Sequence, residues 1–218
     1  MKIEKLIVGQ LQANCYLVWD ESSQEGIIID PGDSPDFILN KIRDLGIRPK
    51  MIVATHGHFD HLLAVNPLKI RFQIPFLLHK NDYFLVERMN KSAQYFLGNN
   101  LNFSPPPDVD RFIEEGDKIE FGSEKLKVIE TPGHSPGGVA LYSKEEGQGL
   151  IFSGDTLFKQ GVGRTDFSYA SLNELKESLE KLFKLPGGTI VYSGHGSETT
   201  IGEEKKVLES GFLEKQVM

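Results

Sequence analysis

Thr55-His56-Gly57-His58-Phe59-Asp60-His61 is the stretch on which the reading of the chain turns. His56, His58, Asp60 and His61 are all side chains that bind metal ions. The run follows Met51-Ile52-Val53-Ala54, a short apolar and partly β-branched stretch that reads as a buried strand. The candidate ligands thus leave the carboxyl end of a strand, where open α/β sheets place their chemistry. On an extended segment His56 and His58 point to the same side, because side chains alternate. Asp60 and His61 come as the chain turns into Leu62-Leu63-Ala64-Val65, read as the first turn of a helix beginning at His61, and so face a second point. Two imidazoles at one point and a carboxylate with an imidazole at another suggest two metal ions. Three of the six histidines of the chain fall in this run, which separates it from an ordinary polar turn.

The chain has 218 residues, 39% hydrophobic and 25% charged, the balance of an ordinary globular protein. We read residues 1–218 as one domain, long enough for a sizeable core. The net charge of −7 disfavours a nucleic-acid partner, which needs a basic face. The single cysteine, Cys15, leaves no internal disulfide; set in the apolar run Asn14–Trp19, it reads as a buried structural thiol. The charged start Met1–Lys5 does not read as a signal peptide, and no apolar run is long enough to span a membrane, so a cytoplasmic location is expected.

Strands are expected at residues 2–8, 14–19 and 26–29. The third ends in Asp30-Pro31-Gly32-Asp33, where Asp30 either orients a metal-binding histidine or caps the turn. Ser34 as N-cap and Pro35 open a helix with apolar face Phe37, Ile38, Ile42 and Leu45, ended by Gly46. Pro67 is expected to kink or break the helix after the histidine run near Asn66. Residues 75–78 form a strand, with His79 structural, and 82–90 a helix. Residues 91–110 are irregular, either a flap over a substrate or a packed spacer. Strands follow at 112–113, 118–121, 126–129, 139–142 and 150–152. A Ser171–Glu174 capping box opens a helix with the stripe Leu172, Leu175, Leu179, Leu182 and Phe183. A strand at 189–192 and a helix at 202–210 close the chain. This order suits two sheets packed face to face with helices outside.

Three later motifs put a potential ligand at a strand end behind a glycine: Pro132-Gly133-His134, Ser153-Gly154-Asp155 and Ser193-Gly194-His195. Glycine lets the backbone turn tightly towards a site. With these motifs in place, the whole series resembles the metallo-β-lactamase superfamily over residues 14–205. The resemblance implies an α/β, four-layer αββα sandwich with a two-metal site at one edge. It implies that His56, His58 and His134 hold the first ion, that Asp60, His61 and His195 hold the second, and that Asp155 bridges them. Asp60 and Asp155 carry catalytic roles on this reading. Zinc is the expected metal, and iron or manganese suits the same donors.

The stretches Gly154–Phe158, Gly163–Asp166 and Gly194–Glu204 are similar to the short glyoxalase II-like hydrolases, of the hydroxyacylglutathione hydrolase group. That resemblance implies hydrolysis of a thioester, such as a hydroxyacylglutathione, by attack of a metal-bridging hydroxide. The helical extension that grips glutathione in longer members is expected to be absent after His195, which leaves the glutathione part of the substrate open. Lactone and phosphodiester hydrolases of the same fold fit less well: lactone hydrolases place a tyrosine where Phe158 stands. Arg164 either binds a substrate carboxylate or pairs with Asp166 or Asp33. Phe158, Tyr83 and Phe103 are further candidates for the pocket lining. The alternative is a mononuclear-iron persulfide dioxygenase, a group that shares the Gly163–Phe167 stretch and would use His56, His134 and Asp155. A small-molecule substrate is expected on either reading.

Overall fold

The computed structural model describes residues 1–98, 102–144 and 149–209. Asn99 and Asn100 of the irregular segment and Ser210 of the expected last helix lie outside the described residues. The first sheet holds β1 (Lys2–Val8), β2 (Ala13–Trp19), β3 (Glu25–Ile29), β4 (Arg48–Val53), β5 (Phe76–His79) and β6 (Arg111–Ile113), paired in chain order. Its β1–β2–β3 portion is antiparallel; β3 to β6 run parallel. The second sheet pairs β7 (Lys118–Phe121), β8 (Glu124–Glu130), β9 (Val139–Ser143), β10 (Leu150–Gly154), β13 (Ile190–Ser193) and β14 (Thr199–Thr200) in that order, with β10 and β13 parallel. Between β10 and β13 lie a small hairpin, β11 (Leu157–Phe158) with β12 (Gly161–Val162), and helix α4 (Leu172–Leu182).

The layering follows from the period of two along each strand. On β2, Cys15 and Leu17 join Ile28 and Ile52 in a core shared with helices α1 (Pro35–Leu45), α2 (Val65–Phe72) and α3 (Tyr83–Leu97). Their neighbours Tyr16, Val18, Ile27 and Val53 face the other way, against Phe121, Leu126, Val128 and Phe152 of the second sheet. Ile129, Ile151 and Val191 pack outward on Leu175, Leu179 and Leu182 of α4 and on Ile201 of α5 (Ile201–Glu209). Three apolar seams therefore separate four layers, helix, sheet, sheet, helix. Each fully buried aliphatic side chain in them is worth about 1.5–3 kcal/mol. The Cys15 thiol sits wholly inside the first seam, and burial pushes its pKa up.

The two sheets are also tied at one end by Asp20, whose carboxylate accepts from Ser22 and Ser23 on its own turn. It accepts as well from the Ser123 N–H, at 2.9 Å, in the β7–β8 turn. Among the described residues no helix is long and apolar enough to cross a membrane.

Four local expectations are corrected. The segment after the histidine run is a single 3-10 turn, Phe59–His61, and α2 starts only at Val65. Pro67 then falls in the first turn, where its missing N–H has no intrahelical partner to lose, so no kink is needed there. Ser34 has φ 56° and makes no side-chain cap; Pro35 and Asp36 open the helix without it. The helix expected at 82–90 runs on to Leu97 as α3. The expected irregular segment therefore begins as helix. From residue 102 it is fastened to α2: Lys69 Nζ donates to Asp108 O at 2.7 Å, and Asn66 Nδ2 to Pro105 O at 3.1 Å.

Candidate metal centre

Parallel strands β3, β4, β10 and β13 deliver their carboxyl ends to one edge of the sandwich, and every ligand candidate leaves from such an end or from the loop after β8. The structure brings all seven together. His56, His58 and His134 form one cluster of ligand atoms, and Asp60, His61 and His195 another. His58 Nδ1 and His134 Nε2 stand 2.9 Å apart, and His61 Nε2 and His195 Nε2 3.2 Å apart. Asp155 reaches both clusters. Its Oδ2 lies 3.5 Å from His134 Nε2 and 3.9 Å from His56 Nε2, and its Oδ1 lies 3.5 Å from His61 Nε2. Asp60 Oδ2 is 3.4 Å from His195 Nε2.

The far nitrogen of four histidines has its own partner. His61 Nδ1 donates to Asp30 Oδ2 at 3.2 Å, and His56 Nδ1 meets Thr55 Oγ1 at 3.1 Å while that hydroxyl donates to Asp30. His134 Nδ1 donates to the Arg164 carbonyl at 2.8 Å. His58 Nε2 meets the Tyr169 hydroxyl at 2.8 Å. For His56, His61 and His134 these partners assign the tautomer with Nδ1 protonated, which turns Nε2 inward. Asp30 is thus an orienting group for two histidines, the first of the two roles open to it in the sequence.

The donor set fits two divalent cations. His56 Nε2 and Asp155 Oδ1 are buried and make no hydrogen bond. With Tyr169 accepting from His58 Nε2, the facing nitrogens of His58 and His134 would hold no proton between them, an arrangement that a cation relieves. Burial and the neighbouring imidazoles hold His56 well below its ordinary pKa, and burial with His134 lowers His58 to about 3. Burial opposes charge on His61 too, but Asp155, Asp60 and Asp30 outweigh it and raise that imidazole to about 10. Burial would raise the Asp60 carboxyl, yet His61 and His195 hold it below the carboxylate range. Gly194 is required where it stands, since a Cβ there would strike Asp155 Oδ1 and His61.

A cavity of 280 Å³ opens over the cluster. Of the expected substrate contacts, Arg164 lines it, but its guanidinium is held bidentately by Asp166 at 2.6 and 2.5 Å and lies over the Phe167 ring. Phe158 stands beside the cavity with its ring 6.3 Å from that of His195. The structure does not bring the other two to the site. Tyr83 faces Phe112, and Phe103 packs on the helix-side core. His79 pairs with Glu130 instead of joining the cluster.

Two residues at the site were not singled out in the sequence. Asp82 is fully buried and accepts from the Gly57 N–H at 2.8 Å, the Ser135 hydroxyl at 2.7 Å and the Gly137 N–H at 2.6 Å. It therefore ties the His56–His58 loop to the His134 loop. Burial raises its pKa in spite of those three donors. Tyr169 contacts His58 across 111 positions of sequence. Neither carries a local signal: Asp82 reads as an ordinary carboxylate before a helix, and Tyr169 as an aromatic in a loop.

Comparison with known proteins places this geometry. The family model described as the metallo-beta-lactamase superfamily matches residues 8–195. A curated relative, hydroxyacylglutathione hydrolase GloC of Haemophilus influenzae, is 36% identical over 94% of this chain and 96% of its own. Among solved structures, TTHA1623 in a di-iron-bound form is 39% identical with a TM-score of 0.84, covering 94% of this chain and 98% of that one. ETHE1 from Myxococcus xanthus is 27% identical with a TM-score of 0.75, covering 94% of this chain and 82% of that one.

Proposed function

The chain belongs to the metallo-β-lactamase superfamily, and from that premise we propose that it is a two-metal hydrolase of thioesters. The observation that carries the reading is Asp155, whose two oxygens stand within 3.5 Å of a ligand atom in each cluster. On this reading His56, His58 and His134 hold one ion, Asp60, His61 and His195 the other, and Asp155 both. Bound there, a pair of divalent ions supplies water ionised at neutral pH and Lewis-acid polarisation of a carbonyl oxygen.

The chain's own residues do the rest. Asp30, Thr55, Tyr169 and the Arg164 carbonyl fix the imidazole rings, and Asp60 and Asp155 bring negative charge to match two cations. A thiolate departs unaided, because thiols ionise near pH 8.5. That suits a cavity whose described lining shows no general acid beyond the ligands and Tyr169. Tyr169 is itself a poor acid, since burial raises its pKa to about 12. The similarity to GloC supports the thioester class.

The second reading, a mononuclear-iron persulfide dioxygenase, draws on the similarity to ETHE1 and on the Gly163–Phe167 stretch. Counterparts of Asp60, His61 and His195 are present in the dioxygenases too, where only one iron is held; the Gly194-His195-Gly196 and Asn14-Cys15-Tyr16 stretches favour the hydrolase. The test is metal content of protein purified without chelators, followed by assays of thioester hydrolysis and of oxygen uptake with a persulfide. Two ions per chain with thioester turnover are expected. One iron per chain with persulfide-dependent oxygen uptake would replace this reading with the dioxygenase.

A further inference from the structure

We propose that Leu11, Phe59, Leu85 and Phe96 form an apolar subsite that binds the acyl or aryl part of an otherwise uncharged substrate. The proposal rests on the thioester-hydrolase reading for its chemistry and on separate observations for the subsite itself. These four side chains line the same cavity as His58, Asp60, Asp155 and His195. They come from three places in the fold: the β1–β2 turn, the 3-10 turn inside the histidine run, and α3. The C-terminal half of α3 thus overhangs the ligand cluster.

The outer part of the wall is made of groups that the core leaves exposed, and its inner part, Phe59 and Leu85, is buried. Phe96 is 50% exposed and Leu11 42% exposed, and Tyr95, beside Phe96, is 83% exposed. Phe96 stacks on Phe59 at 5.6 Å with the rings 18° from parallel, and the Tyr95 ring meets Phe96 edge-on at 5.1 Å. Phe59 is itself buried, so the stack runs from the interior to the cavity mouth. Large apolar side chains left in water together, at the rim of a concave site, mark a place where apolar surface is covered on binding.

Charge points the same way. Among the described lining residues Arg164 is the only lysine or arginine, and Asp166 already occupies its fork. A substrate bearing carboxylates therefore finds no unpaired guanidinium or ammonium there. The geometry selects a neutral thioester with a medium-length acyl or aryl group over one built on a charged peptide thiol.

The test uses the full, metal-loaded chain and non-hydrolysable S-alkyl-N-acetylcysteamine thioethers with ethyl, butyl and hexyl groups, their affinities measured by titration calorimetry. The wild type is expected to bind about twofold tighter per added methylene, the value for a wall that covers half of each methylene. The double variant Leu11→Ser/Phe96→Ser should lose most of that dependence. Ile70→Ser, at an exposed position on α2 away from the cavity lining, should keep it. Affinity independent of chain length in the wild type, or an unchanged dependence in the double variant, overturns the subsite. Tighter binding of S-hexylglutathione than of the hexyl thioether overturns the preference for a neutral substrate. The matching thioesters separate the two readings: intact chain-length dependence without hydrolysis refutes the hydrolase and leaves the subsite, and hydrolysis with a flat dependence does the reverse.

Discussion

Replacing Asp82 by alanine should loosen the metal centre without touching a ligand. The carboxylate is fully buried and accepts three hydrogen bonds, from Gly57 N at 2.8 Å, Ser135 Oγ at 2.7 Å and Gly137 N at 2.6 Å. The Ser135 hydroxyl can rotate away from the hole, but the two backbone N–H groups cannot. A buried donor left unpaired costs about 1–3 kcal/mol, so Asp82→Ala should lose about 2–6 kcal/mol. At ~2–4 °C per kcal/mol for a chain of this size, the midpoint of thermal unfolding should fall by at least ~4 °C. Asp82→Asn should fall in between, because its amide oxygen can accept from only one of the two backbone N–H groups while its NH₂ group faces the other. Gly57 lies between two candidate ligands and Ser135 follows a third, so freeing both loops should also weaken metal binding, by about 10–100-fold. Urea unfolding of metal-free protein reads the first effect and metal competition reads the second. Stability within about 1 kcal/mol of wild type, the lower bound for a single stranded donor, together with unchanged metal affinity, would refute the argument.

What could be read from the sequence was what is local along the chain. His56, His58, Asp60 and His61 lie within six residues, and His134, Asp155 and His195 each follow a strand and a glycine; period and punctuation marked both groups as candidates, and the family resemblance divided them between two ions. The layers were legible from the order of strands and helices and from the family resemblance; the division of Cys15 and Leu17 from Tyr16 and Val18 on β2, an almost wholly apolar run, shows only in the fold. The Arg164–Asp166 pair was among the alternatives because its partners are two residues apart. Contacts made by folding were not legible. Tyr169 reaches His58 over 111 positions, and Asp82 reaches Gly137 over 55. Boundaries failed where tertiary contacts extend or trim an element. Val86, Met89 and Ala93 carry α3 along the core past the expected end of the helix. The hairpin of β11 and β12, two residues per strand, is too short to show a period.

Three other outcomes are expected. Asp155→Ala should lose bound metal and turnover together, as read by elemental analysis and thioester assay on one preparation; retention of both would end its assignment to the two clusters. Asp20 bears on acid stability. Donors led by the Ser123 N–H hold its carboxyl well below the ordinary range, so the stability it adds is present above the unfolded value of about 3.9 and lost as pH falls through the folded one. Asp20→Asn should therefore flatten the loss of stability between about pH 5 and 2, and an acid unfolding curve parallel to wild type would count against the latch. Tyr169→Phe should bind metal about tenfold more weakly at the His58 cluster, as read by competition and by the ring-nitrogen NMR signals of His58. Its ring, stacked on Phe167 at 5.3 Å and meeting Phe84 edge-on, loses no packing in that exchange. The hydroxyl alone is removed, and with it the partner of His58 Nε2. If affinity and the His58 signals stay as in wild type, the inward lone pair of His58 is set by its neighbours in the cluster and not by Tyr169.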